Sequence, residues 1–234
     1  RKMYGKAERM LRVRPAQTKD LAKYEALRGF ASSIGLEARP AQVAVHFEDN
    51  TNRQGVPQKA CIGCGDCVSG CNFWAKNTLP MNYLAEAKRL GASLYTGVTV
   101  SHLTRKGDRW CVWFRRTGTQ HPPENPPQRC VRARHVVLSA GTFGSTEILM
   151  RSRSFGLHLS QELGKRFSGN GDMISVLYGQ DGPVNAAPEE HRDYRARNVG
   201  PTITGLFTSG STRARRVVVE ELASPAPLRR IFEE

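Results

Sequence analysis

Apolar positions recur three and four residues apart early in the chain and every second residue in its middle, so helices are expected first and strands after them. Met3, Ala7, Met10 and Leu11 keep helical spacing until Pro15 ends the run. Leu21, Tyr24, Ala26 and Leu27 place a second helix between Lys19 and Ile34, with Gly35 as its stop. Ala41–Phe47, centred on VAVHF, reads as a short strand, and the polar stretch 49–59 reads as a loop.

The segment AKNTLPMNYLAEAKRLGA carries a third helical pattern. Asn77 or Thr78 can cap it, Pro80 suits its first turn, and Gly91 ends it. SLYTGVTVSHLTR then alternates as a strand, Arg109–Arg115 is a second, and Arg129–Arg132 opens a third. The intervening HPPENPPQ, residues 121–128, is a proline-rich loop that a sheet interior would not tolerate. Val136–Ser139 (VVLS) is a continuous apolar run, the pattern of a strand buried on both faces of a parallel sheet. It leads into AGTFGSTEILM, a glycine turn opening a helix whose amino end would favour an anionic phosphate. Residues 181–197 are polar and loop-like, while PTITGLFTSG offers turns and a further strand, followed by RVVVEEL. The order predicts a mixed α/β chain, with room for one large domain or two small ones.

One motif carries specific chemistry. CIGCGDCVSGC places Cys61, Cys64, Cys67 and Cys71 at the spacing C-x2-C-x2-C-x3-C, which is that of bacterial ferredoxin clusters. Gly63, Gly65 and Gly70 permit the positive φ angles needed to wrap the loop round a cluster-sized object. The run departs from the two-cluster ferredoxin pattern, because Asn72 rather than proline follows the fourth cysteine. A single [4Fe–4S] cluster would take all four local thiols, or three with Cys111 or Cys130. Tetrahedral zinc suits four thiolates as well, and disulfides or free thiols are the remaining readings.

Charge changes the picture less. The net charge of +14, from 35 Lys and Arg against 21 Asp and Glu, could serve nucleic acid or an acidic membrane. The arginines are scattered, with small clusters at Arg132 and Arg134, at Arg192, Arg195 and Arg197, and at Arg213, Arg215 and Arg216. No aromatic and basic surface pattern accompanies them, so a nucleic-acid partner is not expected. No apolar run approaches the ~20 residues of a membrane span, and nothing at the amino end reads as a signal peptide; a cytoplasmic setting is the expectation.

Four strings in order complete the reading: GCNFWAKNTLPMNYLAEAKRLGASLYTGVTV, VRARHVVLSAGTFGSTEILMRS, LGKRFSGNGD and NVGPTITG. Together they resemble the glucose–methanol–choline (GMC) family of flavin oxidoreductases, in its cholesterol-oxidase-like branch, over roughly residues 1–210. The resemblance implies part of an FAD-binding Rossmann-like domain with a β-meander at about 101–134, followed by the start of an antiparallel substrate-binding sheet domain. It implies a helical, lid and substrate-domain segment at 1–60, a cysteine-rich loop at 61–76, FAD-domain elements at 77–150, and substrate-domain material at 151–234. By the same resemblance the Val100 backbone would lie against the adenine, and Ala140, Gly141 and Gly144 would form the turn packed near the dinucleotide.

The implied chemistry is hydride removal from an alcohol or sterol-like CH–OH donor to FAD. A [4Fe–4S] cluster at the cysteine run would give electrons a one-electron exit, toward an electron-acceptor protein. The departures are also plain: Thr146 follows Ser145 where the family has proline, and neither the dinucleotide-binding βαβ unit nor the region of the catalytic histidine is found. The chain therefore resembles the central part of such an enzyme and is expected to be inactive in isolation. None of His46, His102, His121, His135, His158 and His191 is expected to act as a catalytic acid or base.

Overall fold

The computed structural model describes residues 2–117, 129–177, 181–187, 199–210, 212, 215–225 and 228. The proline-rich stretch 121–128 and most of the expected loop at 181–197 lie outside the described residues. In chain order the first elements are α1 (Lys2–Leu11), β1 (Arg14–Pro15), α2 (Ala22–Ser33), β2 (Arg39–Pro40), β3 (Gln42–Val43), β4 (Asn50–Thr51) and β5 (Pro57–Gln58). A 3-10 turn (Leu79–Met81) and α3 (Tyr83–Arg89) follow, then β6 (Val98–Lys106), β7 (Arg109–Arg116), β8 (Arg129–Ala133), α4 (Gly141–Ser154), β9 (Gly205–Ser209) and β10 (Val217–Glu220). They form two compact units, Arg1–Ala92 with Leu177–Glu234, and Ser93–Val176.

In the first unit α2 presents Lys23, Leu27 and Ala31, four residues apart, as one buried stripe, with Tyr24 beside it. The stripe packs on an antiparallel sheet of order β10–β9–β2. Leu27, Ala31, Ala38 and Phe207 form the core there, flanked by Leu36 and Val219. Phe207 is 2% exposed, and its ring meets Phe30 at 5.9 Å. Burying an aromatic ring of this size is worth about 3 kcal/mol or more. Helix α1, by contrast, buries no residue fully.

The second unit is an antiparallel meander, β6–β7–β8, with a bulge in β6 between Val100 and His102. A sheet edge exposes unpaired backbone groups, and α4 satisfies two of those on β6. The Leu103 N–H donates to Ser152 Oγ at 2.8 Å, Ser152 donates to Ile148 O at 2.6 Å, and Arg151 Nε donates to Ser101 O at 2.6 Å. His102 stacks on Phe155 at 3.7 Å and on Trp113 at 5.7 Å. Burial, followed by the nearby Arg151 guanidinium, holds its pKa below the ordinary 6.5.

Several expectations are corrected. Val136–Ser139 forms no strand; Val137 is 86% exposed, because no described strand lies alongside to pair with it. The named sheets are antiparallel throughout, so the architecture is mixed α/β with antiparallel sheets and carries no Rossmann dinucleotide unit among the described residues. The loop expected at 49–59 contains the β4–β5 hairpin, and the strand expected over Ala41–Phe47 shrinks to β3. Neither Asn77 nor Thr78 caps α3. Asn82 does, accepting from the Tyr83 N–H at 2.7 Å, while Asn77 is buried and donates to Leu11 O at 2.8 Å. The strand after α3 begins at Val98, not Ser93.

Candidate functional site

The four cysteines of the run come together. Cys61, Cys64, Cys67 and Cys71 line one small hollow open to solvent, walled also by Val45, Ile62, Phe73, Ala75 and Lys76. All four are half-buried and none is in a disulfide. The loop turns through Gly63, Gly65 and Gly70 at φ values of 70°, 76° and 130°, the left-handed region that side chains other than glycine enter at a cost. At Gly65 the requirement is also steric, since a Cβ would lie 2.6 Å from Val199 Cγ1.

Local hydrogen bonds hold the loop from within. The Gly63 N–H donates to Cys61 Sγ at 3.4 Å, and Lys76 Nζ donates to Cys67 O at 3.0 Å. The Cys61 N–H donates to His46 O at 2.8 Å, and the His46 N–H to Ala75 O at 2.7 Å, closing the base of the loop. Burial pushes the Cys61 thiol up to about 11 and moves Cys64 in the same direction. Such thiols keep their protons at neutral pH unless a bound cation displaces them, as metal coordination does.

A second layer comes from far along the chain. Val199 and Gly200 both donate their N–H groups to Gly63 O at 3.0 Å. Thr202 Oγ1 donates to Gly65 O at 2.7 Å and accepts from the Cys67 N–H at 3.1 Å. Behind this arm sits Lys23, 2% exposed, which reaches Pro201 O at 2.9 Å, Thr202 O at 3.2 Å, Thr204 Oγ1 at 3.1 Å and Glu221 Oε2 at 2.6 Å. Glu221 Oε1 in turn accepts from the N–H groups of Thr204 and Gly205 at 2.6 and 2.7 Å. Burial lowers the Lys23 pKa below 10.5, and the Glu221 carboxylate offsets part of that cost. A buried pair of this kind is weak evidence for stability; its visible effect is to aim the 201–204 backbone.

Sequence reasoning missed this arm. One signal was present: Lys23 stands on the same helical stripe as Leu27 and Ala31, and a lysine there must find buried partners.

The residues expected near a dinucleotide fall in the second unit. Val100 is half-buried in β6 beside the bulge, and Ala140 and Gly141 stand at the amino end of α4, with Gly141 at φ 73°. Gly144 lies a turn further on, where a Cβ would approach Ala140 Cβ at 3.2 Å. The β6 contact is made by Arg151 and Ser152, so the Gly141 end lies about 15 Å further along the helix axis. Cys111 and Cys130 belong to β7 and β8, where Cys111 pairs with Arg132 and Cys130 with Trp113, the Val112–Val131 pair lying between them. Of the histidines, His46 is buried beside Arg12 and Asn50, His102 is buried in the ring stack, and His135 and His158 are exposed. His121 and His191 lie outside the described residues.

The donor set bears on what the cysteine hollow could hold. Among the described residues, no three His, Cys, Asp or Glu side chains are grouped as a metal ion requires. Four thiolates about 2.3 Å from one zinc would stand within about 4 Å of one another. A cubane takes its thiolates at separate iron corners and so accepts a wider spread. No helix among the described residues is long and apolar enough to cross a membrane.

The profile of the GMC oxidoreductases matches residues 1–169, and the chain belongs to that family. It is 32% identical over 198 residues to a cholesterol oxidase of Acinetobacter baumannii, covering 76% of this chain and 36% of that protein. Cholesterol oxidases from two Mycobacterium tuberculosis strains, CDC 1551 / Oshkosh and ATCC 25618 / H37Rv, are each 36% identical over 123 residues, covering 51% of this chain and 21% of theirs. The chain thus spans about a third of the length of the first relative and about a fifth of the other two.

Proposed function

We propose that this chain is the cluster-bearing part of an FAD-dependent GMC oxidoreductase that oxidises the CH–OH group of an alcohol, with sterol-like donors the favoured class. Family membership supports the flavin and the reaction type, and the names of the similar cholesterol oxidases support the donor class. The observation that carries the cluster is the convergence of Cys61, Cys64, Cys67 and Cys71, undisulfided and in ferredoxin spacing, on one hollow. The C-x2-C-x2-C-x3-C spacing favours a [4Fe–4S] cluster over a single zinc.

The flavin, when bound, supplies hydride acceptance, and the cluster supplies one-electron transfer to an acceptor protein. The chain's own part is to hold both. The four thiolates would anchor the iron, the loop glycines let the backbone wrap it, and Val45, Ile62, Phe73 and Ala75 restrict water on its inner side. Val100, Ala140, Gly141 and Gly144 are assigned to FAD contact. The segments 1–60 and 151–234 are assigned to the substrate side, 61–76 to the cluster loop and 77–150 to the flavin side. Free thiols suit a reducing, cytoplasmic setting.

The test is metal and flavin content after purification and reconstitution with iron, sulfide and FAD without oxygen. About four iron and four sulfide per chain, lost in the Cys64→Ser variant, are expected. Iron-free protein retaining one zinc would overturn the cluster assignment, and failure to retain FAD would overturn the flavin assignment to this chain.

A further inference from the structure

The cysteine loop has the sequence of a self-contained motif, yet its central turn is also held by a residue far along the chain. Between Gly65 and Cys67 the backbone offers one carbonyl and one N–H, and the same hydroxyl satisfies both. Thr202 Oγ1 donates to Gly65 O at 2.7 Å and accepts from the Cys67 N–H at 3.1 Å. Thr202 is 6% exposed, so water is no ready substitute for it. Its own backbone is fixed at the carbonyl, which accepts from Lys23 Nζ at 3.2 Å and from the Ala223 N–H at 2.8 Å. The other end of Cys67 is fixed as well, its carbonyl accepting from Lys76 Nζ at 3.0 Å.

Resting on the cluster reading above, we propose that Thr202 is a positioning residue for that site: its hydroxyl sets the Gly65–Cys67 turn and thereby aims the Cys67 thiolate at the cluster. A hydroxyl is the required chemistry because one atom must donate and accept at once. Valine has the same shape and can do neither. Serine can do both. The arm therefore acts as a preformed half of the site, tying the thiolate geometry to the β9–β10 sheet and to α2 through Lys23. Groups behind first ligands commonly tune metal affinity tenfold to a hundredfold.

Two readouts separate this proposal from the cluster reading. In the unloaded, reduced chain, alkylation of each cysteine by iodoacetamide is followed by mass spectrometry in wild type, Thr202→Val and Thr202→Ser. Loss of the hydroxyl leaves Gly65 O and the Cys67 N–H unpaired, so local opening rises and Cys67 should label about tenfold faster in T202V, with T202S near wild type. Cys111, in the second unit, should label at an unchanged rate, and an unchanged far-ultraviolet circular dichroism spectrum with a cooperative urea transition shows that the unit carrying T202V is folded. Should T202V unfold as a whole, Lys76→Met, which frees the other end of Cys67, must give the same selective acceleration.

After anaerobic reconstitution with iron and sulfide, T202V is expected to release iron to a chelator at least tenfold faster than wild type, with T202S restored. Equal Cys67 labelling in T202V and wild type overturns the positioning role whether or not iron is bound. Wild-type chain that takes up no iron while T202V still labels selectively overturns the cluster reading and leaves Thr202 as the organiser of the loop.

Discussion

Replacing Gly65 by alanine should damage the cysteine loop, and the cost can be worked from two separate sources. Gly65 sits at φ 76°, where an L-residue costs about 1–2 kcal/mol. Its new Cβ would lie 2.6 Å from Val199 Cγ1, 3.2 Å from Val199 Cβ and 3.3 Å from Ala223 Cβ. Val199 is 3% exposed and Ala223 is fully buried, so neither has open space to retreat into. Overpacking of this kind costs about 1–3 kcal/mol, giving a total of about 2–5 kcal/mol against a native stability of about 5–15 kcal/mol.

The two sources can be told apart by a second substitution. Val199→Ala alone loses buried methyls, about 1–3 kcal/mol, yet in the G65A background it also removes the overlap. The double variant should therefore be more stable than the sum of the single effects by about 1–3 kcal/mol, leaving the backbone term and the 3.2 and 3.3 Å contacts to the Cβ atoms of residues 199 and 223. Urea unfolding followed by tryptophan fluorescence measures all four proteins, and Trp74, three residues past Cys71, reports on the loop. Additivity within about 0.5 kcal/mol would refute the contact, and a G65A cost below about 1 kcal/mol would refute both terms.

Two further outcomes concern the second unit. His102 stays neutral in the fold because burial and Arg151 lower its pKa, so below the ordinary 6.5 the unfolded chain takes up the proton first. Stability should hold above that value and decline as the pH falls from it toward the lowered folded value; in urea midpoints taken from pH 7.5 to 5, His102→Phe should lack this component, and an unchanged slope would count against it. Ser152→Ala removes the partner of the Leu103 N–H at a fully buried position and should cost about 1–3 kcal/mol, seen as a lower thermal midpoint; a midpoint within error of wild type would mean α4 does not seal that strand edge.

The elements stabilised by local pattern are legible in the order of residues alone. Period-two alternation marks β6 and β7 as strands, helical spacing marks α2, and the cysteine spacing identifies four residues that do meet in one hollow. Linked motifs place the chain among the GMC oxidoreductases, as the match over residues 1–169 establishes. These features depend on contacts a few residues apart, and a one-dimensional pattern records them directly.

The rest was decided at long range. VVLS has the composition of a buried parallel strand, but a strand needs a neighbour along its edge, and among the described residues none lies beside it. Asn77 looked like a cap because its side chain could serve a helix end; tertiary packing used it to hold Leu11 O instead, and Asn82 took the cap. Nothing in the spacing of the cysteines announced that Thr202, 135 residues beyond Cys67, would supply the hydroxyl between Gly65 and Cys67. Hydrogen bonds across such distances leave no periodic trace in the sequence. Local propensity therefore determined which segments are helices, strands and a thiol-bearing loop, while the folded chain alone decided what holds that loop in place.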